Sequence, residues 1–174
     1  MTLITISKRN KIIVSVIAIV LIIIGYYLSV YKSFGYQSNN DTTGNVLMLI
    51  SIGLFPMLWL NIADNSKWKK YVYVVPMVIV GCILVFVVMA KKREYLEEEL
   101  SKYGQVAVGK VIGFEVEHTR RSTFDYATFK YEYQSKQFIQ KTENFDNEYK
   151  IDQILNLKIS KRKPEMFKII EIEK

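Results

Sequence analysis

The stretch that decides the fold is residues 12–31, IIVSVIAIVLIIIGYYLSVY, which contains no charged side chain. Two more uncharged stretches follow, NVLMLISIGLFPMLWLNIA at residues 45–63 and YVYVVPMVIVGCILVFVVMA at residues 71–90. Because a bilayer core of about 30 Å needs roughly 20 helical residues, each stretch is long enough to cross it. Apolar residues lie on every side of each helix, so no side is left for water. The sequence therefore predicts three transmembrane helices, with residues 1–90 as the transmembrane region.

Two other interpretations of these stretches remain open. A fully buried helix of a soluble protein has a similar composition, and the first stretch has the basic start of a secretory signal peptide. Its apolar run is longer than the roughly 7–15 residues that are usual in a signal peptide, and no A-x-A-like cleavage site follows. We therefore expect a retained anchor rather than a cleaved signal.

The basic residues that flank the three stretches predict an orientation. Lysine and arginine tend to stay on the cytoplasmic side. With three spans, one side carries six basic residues and the other carries four: Lys8, Arg9, Lys11, Lys67, Lys69 and Lys70 against Lys32, Lys91, Lys92 and Arg93. This count predicts a multi-pass protein of the bacterial cytoplasmic (inner) membrane, with the N-terminus inside and the C-terminal domain outside. The basic cluster at residues 91–93 acts against that orientation.

The chain after the third stretch changes character twice. Residues 91–103, KKREYLEEELSKY, predict a juxtamembrane helix, since Leu96, Leu100 and Tyr103 recur at i, i+4 and i+7. Its charged residues are typical of a solvated face, and Gly104 is a natural helix stop. From there alternation with a period of two predicts a soluble β-domain over residues 104–174. A hairpin fits residues 128–139, and two further strands fit Ile154–Ser160 and residues 167–173. The expected fold is therefore membrane α plus soluble β, with a small antiparallel sheet or partly open barrel.

Composition excludes several function classes. The chain has 174 residues, a formal net charge of +7, one cysteine and one histidine. A disulfide framework or a zinc site of cysteine and histidine ligands needs more of these residues. Residues 1–90 contain seven basic and two acidic residues, so most of the excess charge lies beside the apolar stretches. The charge is therefore typical of membrane topology, and we expect no nucleic-acid partner.

The sequence carries no constellation that indicates catalysis. Cys82 lies within an apolar stretch, where burial disfavours the thiolate, and a serine triad would combine His118 with Ser122 outside any nucleophile-elbow pattern. Glu115 and Glu117 share a strand face, which is equally typical of a solvated edge. Phosphate-loop, dinucleotide and H-E-x-x-H motifs are absent. We therefore predict a protein that is not an enzyme and that has no catalytic, cofactor-binding or metal-binding residues.

Two basic clusters are the candidate contacts for a protein partner or for anionic lipid. The first lies between the second and third apolar stretches, and the second lies on the strand over Ile154–Ser160 and the turn that follows it. The candidate residues are Lys67, Trp68, Lys69, Lys70, Lys158, Lys161, Arg162 and Lys163. Topology together with contact with anionic lipid is the commonest explanation of the first cluster, and a plain solvated turn is the commonest explanation of the second.

Three segments carry a resemblance to a known family. GKVIGF at residues 109–114, FDYATFKYEYQSKQF at residues 124–138 and ILNLKISKRKPEMFKIIEI at residues 154–172 are similar to a widespread bacterial β-domain of unknown function. That domain is often attached to a few membrane helices, and its turn commonly has asparagine where this chain has Lys163. Some small membrane proteins of this appearance are immunity proteins encoded beside secreted toxins.

The sequence thus predicts a non-enzymatic integral membrane binding protein whose partners are the lipid bilayer and a second protein. In its sharpest form this is an immunity protein that neutralises a bacterial toxin by protein–protein contact. The alternative is a structural or accessory subunit of a cell-envelope complex. The sequence indicates no oligomeric state.

Overall fold

The computed structural model describes the backbone of residues 8–35, 38–59, 67–118, 123–144 and 148–172, and the side chains of these residues except 8, 55–74 and 77. The chain forms two compact units. The helical unit contains the first two helices and the third as far as Arg93. The sheet unit contains Phe34, Gly35 and the chain from Glu94 onward.

Three helices precede the sheet: α1 (Lys8–Tyr31), α2 (Asn40–Trp59) and α3 (Lys67–Tyr103). Among the described residues only one of them, over Arg9–Tyr31, is long and apolar enough to cross a membrane. The prediction of three transmembrane helices is therefore wrong. α2 begins on a polar turn that includes Asp41, and α3 runs on without a break into the charged residues that precede Gly104. One apolar helix near the N-terminus is compatible with a membrane span or with a signal sequence.

Small residues bring α1 and α2 into close contact. A Cβ atom at Gly25 would lie 2.6 Å from the carbonyl oxygen of Gly44, and one at Gly44 would lie 2.5 Å from the carbonyl oxygen of Gly25. Ser29 is fully buried beside them and donates a hydrogen bond from Oγ to Asn45 Oδ1 at 3.2 Å. The two backbones therefore approach as closely as they do in small-xxx-small pairs, with Gly25 and Ser29 four residues apart.

A polar contact joins α2 to α3 within the same unit. Lys92 Nζ lies 2.9 Å from Asp41 Oδ2, and Asn45 Nδ2 donates to Asp41 Oδ1 at 3.5 Å. With the Ser29–Asn45 bond, these contacts form a chain of polar side chains across three helices. Such a chain sets the register of the helices, although a half-exposed ion pair contributes little stability.

The sheet unit is an open sheet of five antiparallel strands in the order β3-β2-β1-β4-β5. The strands are β1 (Gly104–His118), β2 (Thr123–Tyr133), β3 (Lys136–Glu143), β4 (Ile154–Ser160) and β5 (Phe167–Ile172). The antiparallel sheet is confirmed and the barrel alternative is wrong. The predicted strand over Ile154–Ser160 has the expected bounds, and the hairpin turns at Gln134 and Ser135, with Tyr133 opposite Lys136.

One face of the sheet forms the core of this unit. Its buried side chains come from strands that are distant in sequence but adjacent in the sheet, and they include Val111, Phe129, Leu155, Leu157 and Ile159. Their alternation along each strand explains the burial, since successive side chains point to opposite faces. The aromatic rings take part in the core, and the ring of Phe129 meets that of Phe167 edge-on at 5.1 Å between centroids.

The junction between α3 and β1 is abrupt. α3 ends at Tyr103 and β1 begins at Gly104, which confirms Gly104 as the helix stop. A Cβ atom at Gly104 would lie 2.1 Å from the carbonyl oxygen of Leu100, so only glycine fits this position. Glu98 and Lys102, four residues apart on α3, form an ion pair at 2.5 Å, and Leu100 is buried. Most charged residues of this segment are exposed, as expected for a solvated face, but Glu99 is a buried exception.

Candidate functional site

The second basic cluster lies on β4 and on the loop between β4 and β5. Residues 161–166, called the basic turn below, carry Lys161, Arg162 and Lys163, and β4 carries Lys158. Lys161 and Arg162 are exposed, whereas Lys158 and Lys163 are half-buried. The structure therefore brings these four predicted contact residues together. The other predicted contacts lie in the first turn of α3, and their side chains fall outside the described residues: Lys67, Trp68, Lys69 and Lys70.

A single buried hydroxyl organises the basic turn. Ser160 Oγ accepts hydrogen bonds from the backbone N–H groups of Arg162 and Lys163, both at 3.2 Å. The same hydroxyl donates to Glu99 Oε1 at 3.0 Å. Ser160 is fully buried and Glu99 is only 7% exposed. The serine side chain thus mimics a backbone turn, as serine commonly does, and α3 supplies the acceptor for its proton.

Backbone hydrogen bonds close the turn at both ends. The Ser160 N–H donates to the Met166 carbonyl at 3.0 Å, and the Met166 N–H donates to the Lys163 carbonyl at 2.9 Å. The Lys161 N–H donates to the carbonyl of Tyr103 at the end of α3, at 2.9 Å. Because helix ends leave carbonyl groups without intrahelical partners, this last bond also completes the C-terminus of α3.

Side chains from β2 and β3 hold the far side of the turn. The Tyr131 hydroxyl donates to the Pro164 carbonyl at 2.5 Å, and Gln140 Nε2 donates to the Glu165 carbonyl at 3.4 Å. Burial raises the pKa of Tyr131 to about 12. A hydrogen bond with Gln140 lowers this pKa in part, and the negative charge of Glu165 raises it. Tyr131 therefore stays a neutral donor throughout the physiological pH range.

Two aromatic rings of α3 position the cationic groups of the turn. The Arg162 guanidinium lies 4.7 Å from the centre of the Tyr103 ring, and Lys163 Nζ lies 4.9 Å from that of Tyr95. Lys163 also donates to the Tyr95 hydroxyl, and Phe34 packs against the Tyr95 ring at 6.1 Å between centroids. Cation–π contacts of this kind restrict the side chains while leaving the positive charges intact.

The exposed cations of the basic turn can bind anionic groups. Within the described part of the chain, neither Lys161 nor Arg162 forms an ion pair with an acidic side chain. Lys158 stands directly opposite Lys168 on β5, and like charges opposite each other in a sheet are unfavourable. The positive charge is therefore concentrated at this end of the sheet and available to a carboxylate or phosphate.

The carboxylates considered as a catalytic pair are engaged within the sheet. Glu115 Oε1 accepts a hydrogen bond from Thr128 Oγ1 at 3.3 Å, and Glu117 forms an ion pair with Lys141 at 2.5 Å. Lys141 has its pKa raised, mainly by its hydrogen bond with Glu117. These contacts are cross-strand pairs of the kind that stabilise sheets.

The histidine and the cysteine have separate surroundings. His118 ends β1 and lies 3.3 Å from Thr123 Oγ1 across the strand pair, whereas Cys82 is exposed on α3 in the helical unit. The described residues contain no group of three or more side chains suited to hold a metal ion.

Two of the α3 residues that support the turn, Tyr95 and Glu99, were not predicted from the sequence. Tyr95, Glu99 and Tyr103 recur at i, i+4 and i+8 and form the stripe of α3 that contacts the turn. The stripe predicted from the sequence contained Tyr103 together with the apolar residues Leu96 and Leu100. The four-residue spacing of two tyrosines about a glutamate is a signal that could have identified them.

No protein-family model matches the chain, and no curated protein or solved structure matches it either. The resemblance of residues 104–174 to a bacterial β-domain therefore stays a prediction.

Proposed function

We propose that the protein is a membrane-anchored binding protein that performs no chemistry of its own and contacts a protein partner through the basic turn. The observation that carries this proposal is the presentation of Lys161 and Arg162 on a turn held by Ser160 and Glu99. Groups that are already fixed lose little freedom on binding. An exposed positive surface favours an acidic partner and speeds its association.

The anchor in this proposal is α1. Lys8, Arg9 and Lys11 lie at the start of α1, ahead of its uncharged stretch, and Lys32 is the one basic residue within about 15–20 residues after it. This asymmetry supports an N-terminus in the cytoplasm and a sheet unit outside it, at the bacterial cytoplasmic membrane. The close packing of Gly25 against Gly44 supports retention of α1, because a cleaved signal sequence would leave α2 without that surface.

An immunity protein is the sharpest form of the proposal. Its support is that some small membrane proteins of this general appearance are encoded beside secreted toxins and act as immunity proteins. The test is survival of sensitive bacteria that express the full chain and are exposed to the secreted product of a neighbouring gene.

The survival test has a matched pair of variants. Reversing two charges of the turn with Lys161→Glu and Arg162→Glu is expected to abolish protection. Reversing two exposed charges elsewhere on the sheet unit, with Lys136→Glu and Lys150→Glu, is expected to preserve it. Wild-type cells that die as fast as cells without the protein would contradict the immunity function.

The second candidate function is an accessory subunit of an envelope complex. The observation that favours it is the large exposed apolar surface of α3, where Phe86 is 72% and Met89 is 63% exposed. Surfaces of this kind commonly mark contacts with lipid or protein. Purification in mild detergent separates the two functions, since a stable stoichiometric complex without any toxin favours the accessory subunit.

A further inference from the structure

The first half of β1 is apolar on both faces of the sheet. Ala107 and Val111 face the core, and Val106 and Val108, which alternate with them, point to the opposite face. A sheet with one solvated face usually carries polar side chains on that face, whereas a strand that is apolar on both faces is typically covered on both. Val106 is 67% and Val108 is 59% exposed. The described part of the chain thus leaves uncovered a surface whose sequence is typical of a covered one.

Two lysines border these valines on the side of the basic turn. The register places Val106 beside Lys158 and Lys158 beside Lys168, so the three side chains form one row on the same face. Because like charges directly opposite each other are unfavourable in a sheet, an anion beside the two lysines would relieve their repulsion. In the described part of the chain, neither lysine forms an ion pair with an acidic side chain. Val106, Val108, Lys158 and Lys168 are called the valine–lysine face below.

Positive charge prevails around the lysine row. Glu171 is the only acidic residue of β4, of β5 and of the part of β1 that pairs with β4, and it lies opposite Asn156 in the row of Val108. The basic turn begins three residues after Lys158 and carries three basic residues and one acidic residue, Glu165. The lysine row and the turn therefore adjoin as one cationic region.

On the β2 side of the valine–lysine face the charges balance. Lys110 pairs with Asp152, with 2.7 Å between Nζ and Oδ1. Lys130 and Glu132 lie two residues apart on β2 and therefore point to the same face. The charge that an incoming group meets is thus positive beside the turn and close to neutral away from it. A partner is therefore expected to place its acidic groups on the turn side.

We infer that the valine–lysine face extends the contact of the basic turn and binds a partner segment in which acidic side chains are followed by apolar ones. The acidic side chains face the two lysines and the turn, and the apolar side chains cover Val106 and Val108. The lysine row and Val108 are two residues apart along the strand, about 6.6 Å at roughly 3.3 Å per residue, so one short segment reaches both. Protein interfaces commonly combine an apolar centre with a polar rim, and the valines supply the apolar part that the turn lacks.

The inference rests on the proposed binding function for the existence of a protein partner, but its test uses a defined peptide, so the two can fail separately. The full chain in mild-detergent micelles is titrated into a short fluorescent peptide whose first half is aspartate and glutamate and whose second half is leucine and valine. Fluorescence anisotropy measures binding against empty micelles, and a photo-crosslinking group at the apolar end locates it by mass spectrometry. We expect saturable binding and crosslinks to β1 at or next to Val106 and Val108.

Two control peptides separate the charge from the apolar contact. In the first, serine replaces leucine and valine, and we expect binding to be weaker by at least about fivefold because the valines are left exposed. In the second, lysine replaces the acidic residues, and we expect no binding because its charge repels the lysine row and the turn.

Matched variants of the chain test the same division. Val106→Thr with Val108→Thr keeps the branched shape that suits a strand but removes apolar surface, and is expected to weaken binding roughly three- to tenfold. Val116→Thr, at a residue of β1 that is 53% exposed, is expected to leave binding unchanged. Lys168→Gln is expected to weaken binding roughly two- to fivefold, whereas Lys136→Gln, at an exposed position of β3, is expected to have no effect.

Four results would overturn the inference. Equal binding of the serine peptide, or unchanged binding by the double threonine variant, would confine the contact to the basic turn. Phosphatidylglycerol that displaces the peptide when added to the micelles would identify anionic lipid as the occupant. Dimers that form without peptide and are lost in the double threonine variant would identify a second copy. Failure of the acidic–apolar peptide to bind refutes the inference, while the survival test with the turn variant judges the proposed function separately.

Discussion

Replacing Ser160 with alanine tests how the basic turn is held. The substitution removes one hydroxyl and with it three hydrogen bonds: the one donated to Glu99 and those accepted from the backbone of Arg162 and Lys163. The added space is small, and the backbone of β4 keeps its pairing with β1 at Gly104. The effect therefore reports the hydrogen bonds rather than a cavity.

The magnitude follows from the burial of the groups that lose a partner. A hydrogen bond to a charged group contributes about 1.5–3 kcal/mol, and Glu99 is too buried to replace it readily with water. The two amides of the turn are nearer to solvent, so we assign them roughly 0.5 kcal/mol each. The free energy of unfolding of the sheet unit is therefore expected to fall by about 2.5–4 kcal/mol. Ser101→Ala, at an exposed position of α3, is expected to change it by less than about 0.5 kcal/mol.

The assay combines chemical denaturation of the full chain in detergent with hydrogen exchange of the turn. In the Ser160→Ala variant the amides of Arg162 and Lys163 are expected to exchange faster even where the sheet stays folded. A double-mutant cycle with Glu99→Gln isolates the coupling between the two side chains. A loss below about 0.5 kcal/mol, or unchanged exchange at the turn, would refute the claim that Ser160 organises it.

Three further substitutions test other parts of the structure. Gly25→Val is expected to destabilise the helical unit by about 1–3 kcal/mol in thermal unfolding, because its Cβ meets the Gly44 carbonyl. The control Gly53→Val should show no such loss, since nothing lies within 4 Å of a Cβ at Gly53. Burial raises the pKa of Tyr131 to about 12 and keeps the folded phenol neutral, so the contribution of Tyr131 to the free energy of unfolding should be constant below about pH 10 and fall by about 1–2 kcal/mol as the pH rises to 12. Denaturation at several pH values checks this, and an equal fall in Tyr131→Phe would contradict it. Ser135→Gly should raise the free energy of unfolding by about 0.5–1 kcal/mol in the same assay, because Ser135 has a φ of 61° that favours glycine.

Local patterns predicted the elements of the sheet more successfully than its arrangement. β4 matches its prediction because Leu155, Leu157 and Ile159 alternate with polar residues and are all buried. In the turn between β2 and β3, Gln134 and Ser135 both adopt positive φ. Turns of this kind usually have asparagine and glycine at these positions, so the sequence carried no strong signal for the turn. The strand order depends on pairings between β1 and β4 that join distant parts of the chain, and no local pattern contains them.

For the helices and the candidate site, too, the sequence predicted the local elements better than their tertiary arrangement. The helical stretches were recognisable from composition, but composition alone overstated how many of them meet the requirements of a membrane span. Likewise, the basic residues of the turn were visible as a charge cluster. The bond between Glu99 and Ser160, which holds the turn, spans 61 residues and joins a helix to a strand. Contacts of this range depend on the tertiary fold, and neither local segment specifies its partner in the other.

The central claim is that Lys161 and Arg162 of the basic turn bind a protein partner. The most direct test is quantitative capture of partners from membranes with the full chain, the Lys161→Glu, Arg162→Glu variant and the Lys136→Glu, Lys150→Glu control. We predict a protein that is recovered in stoichiometric amount with the wild type and the control and is reduced at least about tenfold with the turn variant, since each reversed contact costs more than about 1 kcal/mol. Equal recovery of the same protein by all three would contradict the claim.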